Sequence, residues 1–550
     1  MTEIFTFFWE HANRRLLRAF ATSIRFSVVP ILALTLYAQS DADRCSAVKR
    51  VAIPDVEITS ATLTPAGPAG RGGMQVPEHC LVRGAIDKRT GFGGKTYAIG
   101  FELRLPVKWE RRFLFQGGGG MDGTVRPALG AASGANTNPA LARGFAVVST
   151  DAGHTGAPPM PEADASFARD QQARIDNAYR SIERVTQVSK QIAMHYYGEP
   201  WRHAYFDGCS NGGRQGLMAA QRYPRDFEGI VSGAPAFRVT HAAIGSAWET
   251  ITLLNIAPKN DAGQPILSRA FSDADLKLVA DGVLKKCDTL DGLSDGLVMN
   301  TRACHFDPKP LTCAGSKQPN CLSNDQVTAL ERVMGGPKNS RGEAIYSDWP
   351  WDPGIASPAW RALKLGTSPT AQPNSIDVLL MLSGLKGYFM YPFDESFDPL
   401  KFDFDKDTPR VDDTAALQDP TSTDIGTFIQ HGGKLLLYHG MADPFFSALD
   451  TQRYYERLAN DNGGLEKTIS FARYFPVPGM NHCAGGPALD NFDALGAIVQ
   501  WVEQGRAPDS IIATGAQFPN VSRPLCVWPK HAEYNGTGPR EDAASFSCKE

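Results

Sequence analysis

The sequence has no block of like charge, no long apolar run after residue 40 and no extended polar tract. Lys and Arg number 55 and Asp and Glu number 59, so the formal net charge is -4. Phosphate binding depends on clustered Lys and Arg, so this balance argues against a nucleic-acid-binding protein. No later segment approaches the roughly 18 apolar residues of a membrane-spanning helix, and the lack of polar tracts argues against disorder.

Glycine, proline and cysteine are abundant instead, with 53, 38 and 10 residues among 550. This length exceeds one compact core, so we expect one large domain with an insertion, or two domains. The even number of cysteines indicates disulfide bonds if the chain is exported. Zinc-binding patterns such as His-Glu-x-x-His are absent from the sequence, and we expect no organic cofactor.

The N-terminus has the features of a signal peptide. An apolar stretch, 26–37, follows four arginines and precedes Ala38-Gln39-Ser40. This order predicts a signal peptide over residues 1–40, cleavage near Asp41 and a secreted or periplasmic protein without stable membrane association. An uncleaved anchor is the alternative. The arginines are Arg14, Arg15, Arg18 and Arg25.

Short apolar runs alternate with helix-like stretches along the rest of the chain. This alternation predicts an α/β fold with a largely parallel sheet flanked by helices. The pattern stops over residues 237–421, which we interpret as an insertion between two halves, 41–236 and 422–550, of one α/β domain. The runs are 97–105, 112–115, 145–150, 204–206, 230–231, 434–439 and 474–477.

A nucleophile elbow is the first candidate catalytic motif. Gly208-Cys209-Ser210-Asn211-Gly212 has the pattern Gly-x-Ser-x-Gly, with an apolar run before it and a helical pattern after it. Small residues flank the serine of such a turn because its backbone is strained and closely packed. The motif predicts Ser210 as a nucleophile.

A serine nucleophile needs a histidine to accept its proton and a carboxylate to orient that histidine. Asp443 follows the apolar run 434–439, and His482 follows the run 474–477. The order Ser, Asp, His is the one found in α/β-hydrolases. We therefore predict a triad of Ser210, Asp443 and His482.

Three other residues near these motifs have simpler interpretations. His439 ends an apolar run, where a packed and hydrogen-bonded histidine is expected rather than the base. His154 precedes the serine and so has the wrong order for the base. Asp207 lies beside the elbow, where a local turn hydrogen bond is expected.

Two cysteines test the triad independently. Cys209 precedes Ser210, and Cys483 follows His482. If the serine and the histidine meet in space, these neighbours are close enough to form a disulfide bond. A coincidental placement of two cysteines is the alternative.

At these residues the sequence resembles the tannase and feruloyl esterase family, whose mark is Cys-Ser, Asp and His-Cys, here Cys209-Ser210, Asp443 and His482-Cys483. The resemblance runs from about Cys45 to Cys548. Segments 447–451 and 454–458 resemble the family's terephthalate monoester hydrolase branch. Other similar segments are 88–91, 208–214, 232–235, 271–276 and 478–487.

The resemblance implies an α/β-hydrolase fold with a lid domain inserted over residues 237–421. It implies an oxyanion hole formed by the backbone amides of Asn211 and Gly120, the latter in the run Gly117-Gly118-Gly119-Gly120. A plain glycine-rich turn is the alternative for that run. The resemblance also implies the disulfides Cys45–Cys80, Cys209–Cys483, Cys287–Cys304, Cys313–Cys321 and Cys526–Cys548.

An acidic loop in the insertion, 287–297, holds three carboxylates and two glycines. Hard oxygen ligands on a turning loop suit Ca²⁺, although the spacing differs from an EF-hand. A solvated acidic turn is the alternative. The resemblance implies a structural calcium ion bound by the carboxylates of Asp288, Asp291 and Asp295 and the carbonyls of Leu293 and Leu297.

The substrate is predicted less directly. The segment 378–391 is apolar and aromatic, as is typical of a wall against a planar acyl group, and Phe446 could face the same ring. These residues could equally form the lid's own core. A substrate carboxylate favours an arginine partner, and this segment offers only Lys386.

We therefore expect a small, neutral aromatic ester of the feruloyl or galloyl type as substrate. Terephthalate monoester hydrolysis is an alternative, as is a peptidase or acyltransferase with the same triad. A calcium-stabilised binding protein requires a missing triad member, and all three are present.

Overall fold

The computed structural model of the protein describes residues 40–70, 73–130 and 134–550. Apart from Ser40, the predicted signal peptide lies outside the described residues. In this part of the chain, no helix has both the length and the apolar character needed to cross a bilayer.

The described residues form fifteen β-strands, which we number in chain order. They are β1 Val56–Thr64, β2 Gly67–Ala69, β3 Met74–Val76, β4 His79–Thr90, β5 Thr96–Pro106, β6 Arg112–Gln116, β7 Phe145–Thr150, β8 His203–Cys209, β9 Gly229–Gly233, β10 Lys434–Gly440, β11 Ala472–Val477, β12 Ser510–Gly515, β13 Phe518–Cys526, β14 His531–Tyr534 and β15 Phe546–Lys549.

Nine strands form the central sheet in the order β1-β4-β5-β7-β6-β8-β9-β10-β11. The pairs among β1, β4, β5 and β7 are antiparallel, whereas β7, β6, β8, β9, β10 and β11 are mutually parallel. The predicted largely parallel sheet is confirmed. The carboxyl ends of the parallel strands therefore share one edge, where α/β sheets bind ligands.

Alternate residues of the central strands pack into two hydrophobic cores. Phe113 and Phe115 of β6 lie in one core, and Leu114 lies in the other. Strand β10 repeats the pattern, with Leu435 and Leu437 in the first core and Leu436 in the second. Helices cover both faces, so these strands appear in the sequence as continuous apolar runs.

The α-helices of the described residues are also numbered in chain order. They are α1 Asp41–Val48, α2 Gln171–Ile175, α3 Ser181–Tyr197, α4 Asn211–Arg222, α5 Val239–Ile256, α6 Asp273–Cys287, α7 Asn324–Met334, α8 Pro358–Lys364, α9 Asp412–Gln418, α10 Gly426–Gln430, α11 Ala448–Asp461, α12 Leu465–Thr468 and α13 Ala494–Gln504.

The insertion lies between β9 and β10, and its residues contribute no strand to the central sheet. Helices α6 and α7 each begin with a capping box, centred on Ser272 and Ser323. One apolar cluster combines residues of the insertion with Met121 and Phe446 of the flanking parts. Residues Asp41–Glu550 form one compact unit.

All ten cysteines are paired, in the combinations that the family resemblance implies. The Cys209–Cys483 bond joins segments 274 residues apart, with its Cα atoms 5.9 Å apart. The other bonds are Cys45–Cys80, Cys287–Cys304, Cys313–Cys321 and Cys526–Cys548.

Strands at the edge of the sheet and near the C-terminus lie outside the predicted runs. Strand β1 is half-buried along most of its length, and β13 is exposed or half-buried over its first five residues. Their apolar residues are interspersed with polar ones, because at most one face of each strand is buried. They therefore lack the continuous apolar pattern of the central strands.

Candidate active site

The nucleophile elbow joins β8 to α4. Ser210 has φ 65° and ψ -126°, a conformation in which a non-glycine residue is strained. A Cβ atom at Gly208 would lie 2.6 Å from the backbone of Gly212, so the start of α4 packs directly on the strand. The glycines of the motif are thus required by close backbone approach, as the sequence predicts.

Asp443 and His482 meet at the edge where β10 and β11 end. His482 Nδ1 lies 2.8 Å from Asp443 Oδ2. The other carboxylate oxygen, Oδ1, accepts hydrogen bonds from the amides of Phe445 at 2.7 Å and Phe446 at 3.2 Å. The structure therefore joins the predicted acid to the predicted base.

The electrostatic environment keeps Asp443 ionised. Burial alone raises the pKa of this carboxyl, but the imidazoles of His482 and His439 outweigh burial and hold the pKa well below its usual range. An ionised carboxylate can hold the imidazole in one orientation and stabilise its protonated form.

The structure also brings the loops that carry Ser210 and His482 together. Their neighbours Cys209 and Cys483 are disulfide-bonded. The rings of Phe445 and Phe446 lie 5.2 Å and 5.4 Å from the His482 ring, measured between centroids. Both phenylalanines line a cavity with Ser210; its lining is Gly120, Met121, Ser210, Asn211, Ala236, Val239, Leu380, Met381, Phe389, Gln418, Phe445 and Phe446.

The glycine run after β6 borders this cavity through Gly120, which has φ 58°. The Gly118 amide donates to Gln215 Oε1 at 2.9 Å. The Gly120 amide, by contrast, donates to no group among the described residues. Asn211 begins α4, and amides of the first helical turn have no intrahelical acceptor. Two amides are thus available beside the serine.

Comparison with known protein families gives this arrangement a context. A family model described as tannase and feruloyl esterase matches residues 80–549. The chain belongs to the tannase and feruloyl esterase family. Membership establishes a carboxylic ester hydrolase with an α/β-hydrolase fold.

Individual relatives of this tannase and feruloyl esterase family member are also ester hydrolases by name. The chain is 41% identical over 529 residues to mono(2-hydroxyethyl) terephthalate hydrolase of Piscinibacter sakaiensis, covering 88% of this chain and 87% of the relative. It is 29% identical over 578 residues to a probable feruloyl esterase B-2 of Neosartorya fischeri, covering 95% of this chain and 99% of the relative.

Solved structures with the same fold include feruloyl esterase B from Aspergillus oryzae, with a TM-score of 0.77 and 26% identity over 93% of this chain and 100% of that chain. Tannin acyl hydrolase from Aspergillus niger has a TM-score of 0.72 and 21% identity, and the match covers 93% of this chain and 96% of that chain.

Sequence reasoning missed a buried polar network that joins the glycine run to α4 in this family member. Asp122 accepts hydrogen bonds from Asn211 Nδ2 and, at 2.9 Å, from Gln215 Nε2. Arg214 Nε donates to Asn211 Oδ1 at 2.6 Å. Burial raises the pKa of Asp122 to about 6. These residues lie within or next to the glycine motifs, but local patterns do not show which polar groups meet.

The three residues that the sequence placed near the motifs but outside the triad are all buried: Asp207, His154 and His439. The Asp207 carbonyl accepts a hydrogen bond from the Gly117 amide at 2.8 Å. His154 stacks on Phe167 with centroids 3.8 Å apart, and neither of its nitrogens has a partner among the described residues. His439 is packed and hydrogen-bonded as predicted, and one of its partners is Asp443.

The apolar segment 378–391 contributes both to the cavity wall and to the contact between the insertion and the flanking part. Leu380, Met381 and Phe389 line the cavity with Ser210. Tyr388 is buried between the insertion and the flanking part: its hydroxyl donates to Gln418 Oε1 at 2.8 Å, and its ring lies 4.9 Å from that of Phe167. Lys386 is exposed and does not contribute to the lining.

The acidic loop after α6 places its three carboxylates near one another. Burial, with smaller contributions from Asp295 and Asp288, raises the pKa of Asp291 to about 7. The carboxylates accept hydrogen bonds from the loop's own amides, including that of Gly296 to Asp288 at 2.9 Å. Arg523 pairs with Asp295 at 2.5 Å.

The donor chemistry of this loop suits a hard cation, because carboxylates and backbone carbonyls lie on one turning segment. In the arrangement seen, no three His, Cys, Asp or Glu side chains of the described residues are grouped as metal ligands. Metal binding would therefore require the carboxylates to exchange their amide partners for the ion.

Proposed function

We propose that this protein is a secreted serine esterase that hydrolyses esters of aromatic carboxylic acids through an acyl-enzyme. One observation carries the proposal: Ser210 lines an uncharged, mostly apolar cavity, and the Cys209–Cys483 bond ties its loop to that of a histidine hydrogen-bonded to an ionised carboxylate. Apolar cavities with a few polar groups are typical of small-molecule sites.

In this mechanism the Ser210 hydroxyl attacks the ester carbonyl while His482 takes its proton through Nε2. The amides of Asn211 and Gly120 bind the oxyanion that develops. His482 then passes the proton to the leaving alcohol. A water molecule, activated by the same imidazole, releases the acid, and Asp443 stabilises the imidazolium in both steps.

We also propose that residues 237–421 act as a lid domain over a catalytic domain formed by 41–236 and 422–550. Five residues of the insertion line the cavity that holds Ser210, which supports this division. The insertion also connects two adjacent parallel strands without entering the sheet. A lid in this position sets the shape of the acyl-binding wall.

The chemistry of the cavity favours a neutral acyl group. None of its twelve lining residues carries a charged side chain. A carboxylate placed there would lose its hydration without gaining a cationic partner, which is unfavourable. We therefore propose esters of hydroxycinnamic or gallic acid as the preferred substrates, with Phe446 against the aromatic ring.

Terephthalate monoester hydrolysis is the second candidate. It is supported by the 41% identity to mono(2-hydroxyethyl) terephthalate hydrolase. Mono(2-hydroxyethyl) terephthalate and its neutral methyl ester form a matched pair that separates the two candidates. If the site prefers neutral rings, we expect kcat/KM for the methyl ester to be at least roughly tenfold higher than for the free monoester. A tenfold ratio corresponds to about 1.4 kcal/mol.

A panel of methyl ferulate, a galloyl ester and this pair assigns the substrate class. Equal or faster hydrolysis of the free monoester would exclude the neutral preference. A peptide substrate and an added alcohol acceptor complete the panel. Faster peptide cleavage or acyl transfer to the alcohol would instead identify a peptidase or an acyltransferase.

Substitution of the nucleophile tests the mechanism. Ser210→Ala is expected to abolish turnover of an activated aromatic ester and to leave the thermal melting temperature close to the parent value. Ser232→Ala, in the neighbouring strand β9, is a control that removes a buried hydroxyl outside the triad. Retained turnover in Ser210→Ala would refute the serine mechanism.

We further propose a structural calcium ion in the loop 287–297, held by Asp288, Asp291 and Asp295 with the carbonyls of Leu293 and Leu297. The charges of Asp288 and Asp295 repel that of Asp291, which supports this proposal because a cation would relieve the repulsion. At roughly a hundred times its Kd, calcium would stabilise the folded state by about 2.7 kcal/mol.

A melting curve tests the calcium proposal without an activity measurement. Calcium is expected to raise the melting temperature of the chelator-treated protein, and the Asp291→Asn variant is expected to lose most of that increase. Magnesium serves as the comparison cation. Identical melting temperatures in calcium and in chelator would rule out the site.

A further inference from the structure

The carboxylate of Asp443 contacts a second histidine besides His482. His439, near the carboxyl end of β10, is completely buried. Its Nε2 lies 3.1 Å from Asp443 Oδ2, the same oxygen that His482 Nδ1 approaches to 2.8 Å. His439 Nε2 also lies 2.9 Å from the carbonyl oxygen of Phe446.

The surroundings of His439 fix which nitrogen carries the proton. Nε2 faces two acceptors, a carboxylate oxygen and a carbonyl oxygen, so it must be the donor. Nδ1 lies 2.8 Å from the Thr451 hydroxyl, which can donate to it. A neutral imidazole protonated at Nε2 satisfies all of these contacts.

We propose that His439 is a positioning residue that holds the Asp443 carboxylate for the reaction at His482. The inference rests on the proposed function, because it assigns a role to a side chain behind the triad. Backbone amides restrain Asp443 Oδ1, but Oδ2 receives hydrogen bonds only from the two imidazoles among the described residues. The His439 N–H restrains Oδ2 when His482 moves toward substrate.

The same imidazole couples the acid to the acyl-binding wall. Because its N–H is shared between Asp443 and the Phe446 carbonyl, it bridges the turn between these residues. Phe446 lines the cavity and packs 5.4 Å from the His482 ring. Loss of the N–H would therefore loosen both the carboxylate and the turn.

A pair of substitutions separates positioning from packing. His439→Gln keeps an N–H donor near the position of Nε2, whereas His439→Met has a similar size and no donor. We expect His439→Met to lower kcat roughly 10- to 100-fold with KM within about twofold, because small misplacements of catalytic groups have effects of this size. His439→Gln is expected to recover most of that loss.

The low-field NMR signal of the His482 Nδ1 proton gives a readout that a packing role would not change. It should match the parent in His439→Gln and shift in His439→Met. Equal kcat values in the two variants, or an unchanged signal in His439→Met, would overturn the proposal.

If His439→Met does not fold, the tautomer of His439 in the parent protein tests the proposal instead. Nitrogen-15 labelling of histidine must show His439 protonated at Nε2, and a proton on Nδ1 alone would overturn the proposal. Failure of the serine mechanism remains distinguishable, because Ser210→Ala would then retain turnover whatever the His439 variants do.

Discussion

Three buried carboxyl groups near the site illustrate how local contacts set charge. Asp443 faces two imidazoles, and its pKa is depressed. Burial raises the pKa of Asp122 to about 6, although Gln215 and Arg214 favour its ionised form. Among the described residues, Asp151 has only backbone amides as donors, and burial raises its pKa to about 8. Similar burial thus gives different charges at neutral pH.

Asp151 should make stability depend on pH. Between about pH 4 and pH 8 the native state keeps a proton that the unfolded state has lost, so the free energy of unfolding falls as pH rises. Asp151→Asn removes this dependence while retaining an acceptor for the amides of Gly100 and Gly153. Its stability relative to the parent should rise by up to about 1.4 kcal/mol per pH unit.

Denaturant unfolding at pH 5, 6.5 and 8 measures this difference. The advantage of Asp151→Asn should grow with pH and level off above pH 8. A difference that is constant across the series, or that shrinks with rising pH, would contradict the raised pKa.

Asp122 is expected to position the amides of the proposed oxyanion hole rather than to affect substrate binding. Its two oxygens accept from Asn211 and Gln215, so Asp122→Asn places an amide donor against another donor. The glycine run and α4 would then separate slightly, and we expect kcat to fall by roughly 10- to 100-fold with little change in KM.

Steady-state kinetics on one activated ester measure the effect of Asp122→Asn. Asp151→Asn is the matched control, since it alters a buried carboxyl outside this network and should keep kcat near the parent value. A kcat unchanged in Asp122→Asn would show that the network does not position the amides.

At the scale of elements, three parallel strands deliver the proposed triad to one edge of the sheet. Ser210 follows β8, Asp443 follows β10 and His482 follows β11. Strands β9 and β10 lie between β8 and β11, so the serine loop and the histidine loop do not follow neighbouring strands of the sheet. The Cys209–Cys483 bond links these loops across the gap.

Removal of the Cys209–Cys483 disulfide should therefore lower kcat more than removal of the Cys45–Cys80 disulfide. Cys209→Ala with Cys483→Ala is expected to lower kcat at least roughly tenfold, because the serine and histidine loops lose their link. Cys45→Ala with Cys80→Ala is the control, since that bond joins α1 to β4 at the far antiparallel side.

Both double variants should also melt at lower temperatures, because each loses a cross-link that restricts the unfolded chain. Activity per folded molecule, measured well below both melting temperatures, separates an effect on catalysis from an effect on stability. An equal loss of kcat in both pairs would mean that the Cys209–Cys483 bond contributes only to stability.

For the molecule as a whole, five disulfide bonds match the predicted export. Ten cysteines without a free thiol are expected of a protein that folds in an oxidising compartment. The insertion and the flanking parts share an apolar cluster, so residues 237–421 and the edge of the sheet near Phe446 are packed as one unit.

Export can be tested on the full-length chain. Expressed with a functional secretion pathway, the purified protein should begin near Asp41 and contain no thiol that reacts under denaturing conditions. Expression in a reducing compartment should give thiols and a lower active fraction. Retention of residues 1–40 on the secreted protein would contradict the predicted signal peptide.

The sequence by itself determined the parallel strands, the elbow and the chain order of Ser210, Asp443 and His482. These features depend on local chemistry: buried strands require continuous apolar runs, and a strained turn requires small neighbours. The predicted triad indicated the Cys209–Cys483 pair, and the family resemblance added the other four disulfide pairs. Half-buried strands such as β1 were not predicted, because only part of their surface is buried.

Only the tertiary structure decided which polar groups meet. Asp122 lies 89 residues from Asn211 in the chain, yet the two are hydrogen-bonded. It likewise placed His439 beside Asp443, and it separated Met381, which lines the cavity, from Tyr388, which packs against Phe167 outside the insertion. A sequence pattern records local preference, whereas these contacts depend on distances and orientations that folding alone creates.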